Sequence, residues 1–351
     1  MKTLLTSIST LFIILIFSNS LFAKTFTVKY AHAGSADPSS NYTVGANFLK
    51  YYLESNSQGR LKVEIYPGGT LGNMRTLIEM VQMGTLELAH STTSGYGWFF
   101  PQIQVLGIPY LFPNDQVAEH VAKGELISDI RKAILKKTKS IRLVGAANQA
   151  RWRCFFTTKK QIKTASDLKG VKIRTIPAPL QIEMVKYLGG NPTPTPWPEV
   201  YTSLASGVLE GLKLAVSDIV TYKMDEFTKY GTWDNHAYLW GLVSANNDWL
   251  LNLPKDLQQI IVDGVQKMLI VQQEYTKHLE VLAVQSFVEK SKGTLYMPST
   301  DEQATFVAAK EPMIQWFKEN IDDGPMWIDK VNQSISKAEK DIENQRNDVL
   351  N

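Results

Sequence analysis

Apolar positions along this chain recur with two periods, and the changes from one period to the other mark out its elements. Residues 25–31 read as a strand. Residues 42–54 then place Val44, Phe48, Leu49 and Leu53 at helical spacing. Leu61, Val63 and Ile65 alternate with polar residues, which predicts a second strand, and Pro67-Gly68-Gly69 turns the chain. Residues 73–83 carry Leu77, Ile78 and Val81 on one helical face, and 86–90 form a short strand candidate. Repeated β–α alternation of this kind predicts an α/β domain with a mostly parallel sheet.

The second half repeats the scheme. Thr164 or Ser166 caps a short turn, and 167–170 turns into a strand over 171–176. Val171, Ile173 and Thr175 share one face of that strand, and Lys172, Arg174 and Ile176 the other. Pro179 suits the first turn of a helix carrying Leu180, Met184, Val185 and Leu188, which stops at Gly189-Gly190. Prolines at 192, 194 and 196 hold the next segment extended. Pro198 starts a further helix through Val200, Tyr201 and Leu204 to Gly207, with Trp197 at its cap. Residues 254–290 read as one long helix, and the charged tail 337–351 as a solvated or frayed one. No repeat or low-complexity linker separates the halves, so crossing strands and helices are expected to join them.

The chain has 351 residues, enough for two domains. Met1-Lys2, the apolar run 11–17 and the sequence Leu21-Phe22-Ala23 describe a secretory signal peptide over 1–23. An uncleaved anchor is the alternative. The expectation is an exported protein with no membrane insertion after cleavage. A formal charge of +3, spread along the chain, gives no argument for nucleic acid or a membrane surface. Cys154 is the single cysteine, so no intrachain disulfide forms, and its setting Arg153-Cys154-Phe155-Phe156 is that of a buried small apolar residue. The five histidines are scattered, and neither a nucleophile–base pair nor a phosphate loop is visible. No enzyme activity, cofactor or metal is expected.

Arg174 is the strongest candidate for function. It sits at the carboxyl end of its strand, just before Pro177. Ligands of open α/β sheets bind in the crevice outside the strand ends. A guanidinium fixed there offers two parallel donors to a carboxylate, so the residues predict a cleft that grips a small organic acid. Trp233-Asp234-Asn235-His236 is a second candidate lining for the cleft or hinge, and His32 and His90 are candidate donors to an anion.

Several ordered stretches resemble one known family. They are Lys163-Thr164, Asp167-Leu168-Lys169-Gly170-Val171-Lys172-Ile173-Arg174, Leu188-Gly189-Gly190-Asn191-Pro192-Thr193-Pro194, Glu199-Val200-Tyr201-Thr202-Ser203-Leu204 and Gly207-Val208-Leu209-Glu210-Gly211. Tyr66-Pro67-Gly68-Gly69-Thr70-Leu71-Gly72, Gly84-Thr85-Leu86-Glu87 and Ile108-Pro109-Tyr110-Leu111-Phe112 extend the likeness over the first half. Together they resemble the extracytoplasmic solute receptors of TRAP transporters, of the C4-dicarboxylate-binding type.

The resemblance implies a two-lobed, type II-like periplasmic binding protein with a central cleft and a long hinge-spanning helix. Its lobes would be 24–150 with 239–280, and 151–238 with 281–351. It implies delivery of the ligand to a sodium-coupled membrane permease. By the same resemblance Arg174 matches the arginine that bridges the ligand carboxylate and Arg153 a second cleft arginine, with Arg151 as the alternative two residues away. Trp197 matches an aromatic packed on the ligand. His32 lies in the first cleft loop, 31–34, and Thr92, flanked by Ser91 and Thr93, in another. One departure stands out: Leu214 takes the place of an asparagine that helps to hold the carboxylate, and Lys213 that of an acidic neighbour. Arg153, Arg174 and Lys213 in one cleft would favour a dianion, so a C4-dicarboxylate is the first expectation. A 2-oxo or 2-hydroxy monocarboxylate is the second, with sulfonates and sugar acids open. A receptor for an ATP-driven or chemosensory system remains the alternative partner assignment.

Overall fold

A computed structural model of the protein describes residues 24–350, so the expected signal peptide lies outside the described residues. Nine strands among them form one mixed sheet. They are β1 (Phe26–His32), β2 (Leu61–Tyr66), β3 (Leu88–Thr92), β4 (Ile141–Thr157), β5 (Lys172–Thr175), β6 (Asn191–Pro194), β7 (Gly211–Leu214), β8 (Tyr230–Asn246) and β9 (Thr294–Tyr296). Their order is β2-β1-β3-β8-β4-β7-β5-β6, with β9 on β8. Each flank is parallel, and each closes antiparallel onto one of the two central strands.

The central strands are the feature the apolar pattern did not predict. β4 and β8 run 17 residues each and pair antiparallel along their length. The first flank meets β8 at residues 241–245, and the second meets β4 at 154–157. Between these contacts the β4–β8 register breaks, from Asn148 opposite Trp240 to Arg151 opposite Leu239. Arg151 takes a left-handed φ of 65°, and its backbone N–H donates to Asn148 Oδ1 at 2.6 Å, which holds the bulge.

The predicted helices form close to their expected places. Asn73 caps Met74–Met83, and Gly84 ends it in the left-handed conformation at φ 75°. Thr164, as expected, caps a turn, with Asp167 completing the reciprocal pair of bonds. Pro179 stands at the start of the helix Pro179–Tyr187. The long helix is Lys255–Gln285, continued by a π turn over Ser286–Lys290. It packs on the helix Asn41–Asn56, on β4 and on the short helix Val216–Thr221.

Three expectations shift. The third strand begins at Leu88, two residues later than predicted. The helix after Trp197 begins at Val200, behind a 3-10 turn over Trp197–Glu199. The tail is the end of one continuous helix, Gly324–Leu350. Its apolar stripe of Trp327, Ile328, Val331 and Ile335 is buried, and Trp327 meets Phe100 edge-on at 5.6 Å. That stripe docks it on residues 101–138, the side expected to form the first lobe.

Candidate functional site

The carboxyl ends of β3, β5 and β7 and the middle of β4 converge on a cavity of about 240 Å³. Two guanidinium groups reach it. Arg174 leaves β5 on the face shared with Ile176, which also lines the cavity, while Ile173 turns into the core, so the predicted alternation holds. Its Nε and Nη2 donate to the Thr195 carbonyl at 3.1 and 3.0 Å, and its charge sits 5.6 Å from the centre of the Trp197 ring. Arg153 comes from β4 just past the bulge and is buried, with no partner for its Nε among the described residues. No carboxylate lies within ion-pair distance of either group among the described residues. Burial pushes Arg174 down to about 9, helped by the nearby charge of Arg153, and pushes Arg153 down to about 10. Two cations held dry in this way favour an anion between them.

The walls are mostly apolar. Trp197, Leu214, Leu239, Ile176 and Met74 face the cavity, with Trp98 at its open edge. Tyr222 meets Trp197 edge-on at 4.7 Å, and its hydroxyl accepts from the Ser35 backbone N–H at 2.7 Å. Tyr42 closes the floor. A Cβ at Gly34 would stand 2.0 Å from the Tyr42 ring, so only glycine lets the first cleft loop approach it. Thr92 and Ser94 share a hydrogen bond at 2.8 Å on the rim. Arg75 stacks 4.3 Å over Trp98 and pairs with Glu79, out in solvent.

Of the residues singled out in the sequence, Arg174, Arg153, Trp197, Thr92 and Leu214 line this cavity. Four do not. His32 is buried behind Tyr42, stacked on it at 5.2 Å, and burial holds its imidazole down at about 4. Ser91 is packed beneath Gly95, and its hydroxyl donates to the Thr92 carbonyl at 3.2 Å. Lys213 points away from the cavity, because side chains alternate along β7 and Leu214 takes the cavity side. Its Nζ donates to Gln181 Oε1 at 2.8 Å. Asp234 is wholly buried and accepts from Tyr110 Oη, His236 Nδ1 and the Phe155 N–H. Arg151, the alternative to Arg153, is turned by the bulge onto Asp115 and Glu280.

Asp218 was not legible in the sequence. It stands in the helix Val216–Thr221, partly open to the cavity. Burial raises its carboxyl to about 7, against the opposing charge of Arg153. Tyr42 and Tyr222 were also missed, since isolated tyrosines carry no motif. Among the described residues, no group of three or more histidines, cysteines or acidic residues is placed to hold a metal ion. None of the described helices is long and apolar enough to cross a membrane.

Comparison with known proteins adds an independent line. A family model described as bacterial extracellular solute-binding protein, family 7, matches residues 32–320. The chain is 28% identical to the 2,3-diketo-L-gulonate-binding periplasmic protein of Escherichia coli strain K12, over 64% of its own length and 67% of the relative's. Its fold superposes with a TM-score of 0.84 on a sugar acid binding protein from Advenella mimigardefordensis in complex with galactonate, at 22% identity, covering 90% of this chain and 99% of the other. A TRAP periplasmic solute binding protein from Bordetella bronchispeptica, with density assigned to pantoate, matches with a TM-score of 0.80 at 27% identity, covering 88% and 99%.

Proposed function

The chain belongs to the bacterial extracellular solute-binding proteins of family 7. From that premise we propose that it is a periplasmic receptor that captures a small organic acid and delivers it to a sodium-coupled TRAP permease. The observation that carries this reading is the pair of buried guanidinium groups, Arg153 and Arg174, facing one cavity with no carboxylate in ion-pair distance among the described residues. Arg174 and Arg153 grip the ligand carboxylate, Trp197 packs on its body, and Thr92 meets it from the opposite rim. Leu214 supplies apolar wall beside the carboxylate.

Closure is proposed to occur about the β4–β8 bulge. The boundaries at 150/151 and 238/239 fall at that register break, between the contacts of the two flanks. In this reading 24–150 with 239–280 form one lobe and 151–238 with the chain after 281 the other. The helix Gly324–Leu350 straps back onto the first. Ligand binding would favour the closed arrangement through contacts made only there.

The reading is tested by a thermal-shift screen of the ligand-stripped protein against small organic acids. An acid at about a hundred times its Kd should add ~2.7 kcal/mol of stability, a rise of several degrees. The rise should vanish in Arg174→Ala. A screen in which no acid shifts the melt, or a hit equally strong in Arg174→Ala, sinks the reading.

A further inference from the structure

Resting on the organic-acid reading above, we propose that Asp218 sets the specificity of the cavity: it selects monoanionic acids that carry a hydroxyl group and disfavours dicarboxylates. Asp218 follows the end of β7 by four residues and opens on the cavity beside Arg153. The groups that face it are Arg153 from β4, Tyr42 from the helix Asn41–Asn56, and Tyr222 at the end of its own helix. The long helix packs behind, with its Glu280 engaged by Arg151. Burial raises this carboxyl against the charge of Arg153, and its oxygens accept no side-chain or backbone hydrogen bond among the described residues. Its oxygens are therefore free to accept from a ligand.

Charge balance then separates the acid classes. Arg153 and Arg174 bring two positive charges and ionised Asp218 one negative, so one ligand carboxylate closes the cavity neutral. Arg75 also lines the mouth of the cavity, but it is half-exposed and its charge is offset by Glu79, so the pair adds no net charge to this balance. A dianion would leave one net negative charge among Trp197, Leu214, Leu239 and Ile176, and burying an unbalanced charge is costly. It enters only with a proton taken up on Asp218. That carboxyl is already raised to about 7, so dicarboxylate affinity should climb as pH falls from 8 toward 7 and level off below it, by about tenfold in all. A ligand hydroxyl, by contrast, donates a charge-assisted bond to ionised Asp218. An acid lacking that hydroxyl covers the partly open Asp218 carboxylate without giving it a donor and binds less tightly.

Three acids of similar branched carbon skeleton test this by calorimetric titration of the stripped protein: pantoate, 3,3-dimethylbutanoate and 2,2-dimethylsuccinate. At pH 8 the wild type should bind pantoate at least ~10-fold tighter than either of the others. Asp218→Asn should cut that advantage to under about threefold, bind 2,2-dimethylsuccinate at least ~10-fold tighter at pH 8, and reduce the change in its affinity between pH 6 and 8 to the roughly threefold that the acid's own second ionisation causes. Any dicarboxylate returned by the wider screen is read by the same pH comparison. Acids that bind with unchanged preference and unchanged pH dependence in Asp218→Asn overturn the role of Asp218 and leave the receptor reading standing. A wild type that prefers the dianion at pH 8 does the same. Binding by none of these acids, nor by any in the screen, removes the organic-acid reading itself.

Discussion

Arg151 and Arg153 lie two residues apart on one strand and have opposite fates. On the outer side of β4, Arg151 is clamped by Asp115 from the helix Asp115–Ala122 and by Glu280 from the long helix. On the cavity side, Arg153 is more deeply buried and has no carboxylate in ion-pair distance among the described residues. The bulge separates them: Arg151 at φ 65° breaks the alternation that would have put both on one face. A charge that serves the fold is given its partner by the protein. A charge that serves binding is desolvated and left for a partner from outside, at a cost to stability.

Exchanging the two arginines for alanine should therefore give crossed effects. Arg153→Ala should weaken binding of any acid found in the screen by ~2–5 kcal/mol, roughly thirty- to several-thousand-fold. Its melting temperature should hold or rise, because a buried cation with no carboxylate in ion-pair distance among the described residues is removed. Arg151→Ala should leave affinity nearly unchanged and cost ~1–3 kcal/mol of stability. That lies below the range for a fully buried pair, because Arg151 and Asp115 keep about a fifth of their side-chain surface in water. Chemical denaturation and titration calorimetry on both variants read the cross. Equal losses of affinity would erase the distinction between the two sides.

The distinction extends behind the cavity, where burial holds polar groups neutral. His32 and His90 are fully buried on either side of Tyr42, held at about 4 and about 3 against an ordinary 6.5. Their folded-state values are depressed. Their contribution is therefore present above pH 6.5 and lost as pH falls toward the folded values, because the unfolded chain takes up protons first. Each should steepen the fall in stability below pH 6.5 by ~1.4 kcal/mol per pH unit. Asp218, raised to about 7, works in the opposite sense over part of that window, since acid then favours its folded form. His90→Gln should flatten the pH dependence of unfolding by the His90 share. An unchanged slope would mean that His90 already carries a proton in the folded protein.

How much of this was legible in the sequence depended on how local the cause was. Arg174 was readable because one short strand, a glycine turn and a following proline fix its position from its own neighbours. The helix caps at Asn73 and Thr164 were equally local. β4 and β8 were not readable. Both are central strands covered on both faces, so buried Gly145, Ala146, Ala147, Asn148 and Gln149 follow one another without alternation. Asp218 and Tyr42 reach the cavity from segments 176 residues apart, and only the assembled fold brings them together. His32, Asp234 and Lys213 are polar residues near the expected cleft in sequence. The structure satisfies or shields each within the fold, a distinction that needs the third dimension.

Lys213 gives the smallest expected effect and the sharpest check on ligand charge. The dicarboxylate expectation counted it as a third cation in the cleft. It is 3% exposed, donates to Gln181 Oε1 at 2.8 Å, and lies 3.4 Å from Met184 Sδ. Burial, then the charges of Arg153 and Arg174, hold its ammonium well below the usual lysine range. A lysine in that position adds little positive charge to the cavity. Lys213→Met keeps much of the volume and removes the buried amine, which is often neutral or stabilising. It also leaves Gln181 Oε1 without its donor, a loss of ~1–3 kcal/mol, so the two effects largely cancel in stability. Affinity should change by less than about threefold, or under ~0.7 kcal/mol. A loss of thirtyfold or more would make Lys213 a third cation for the ligand and restore the case for a dianion. It would also remove the charge balance on which the role of Asp218 depends.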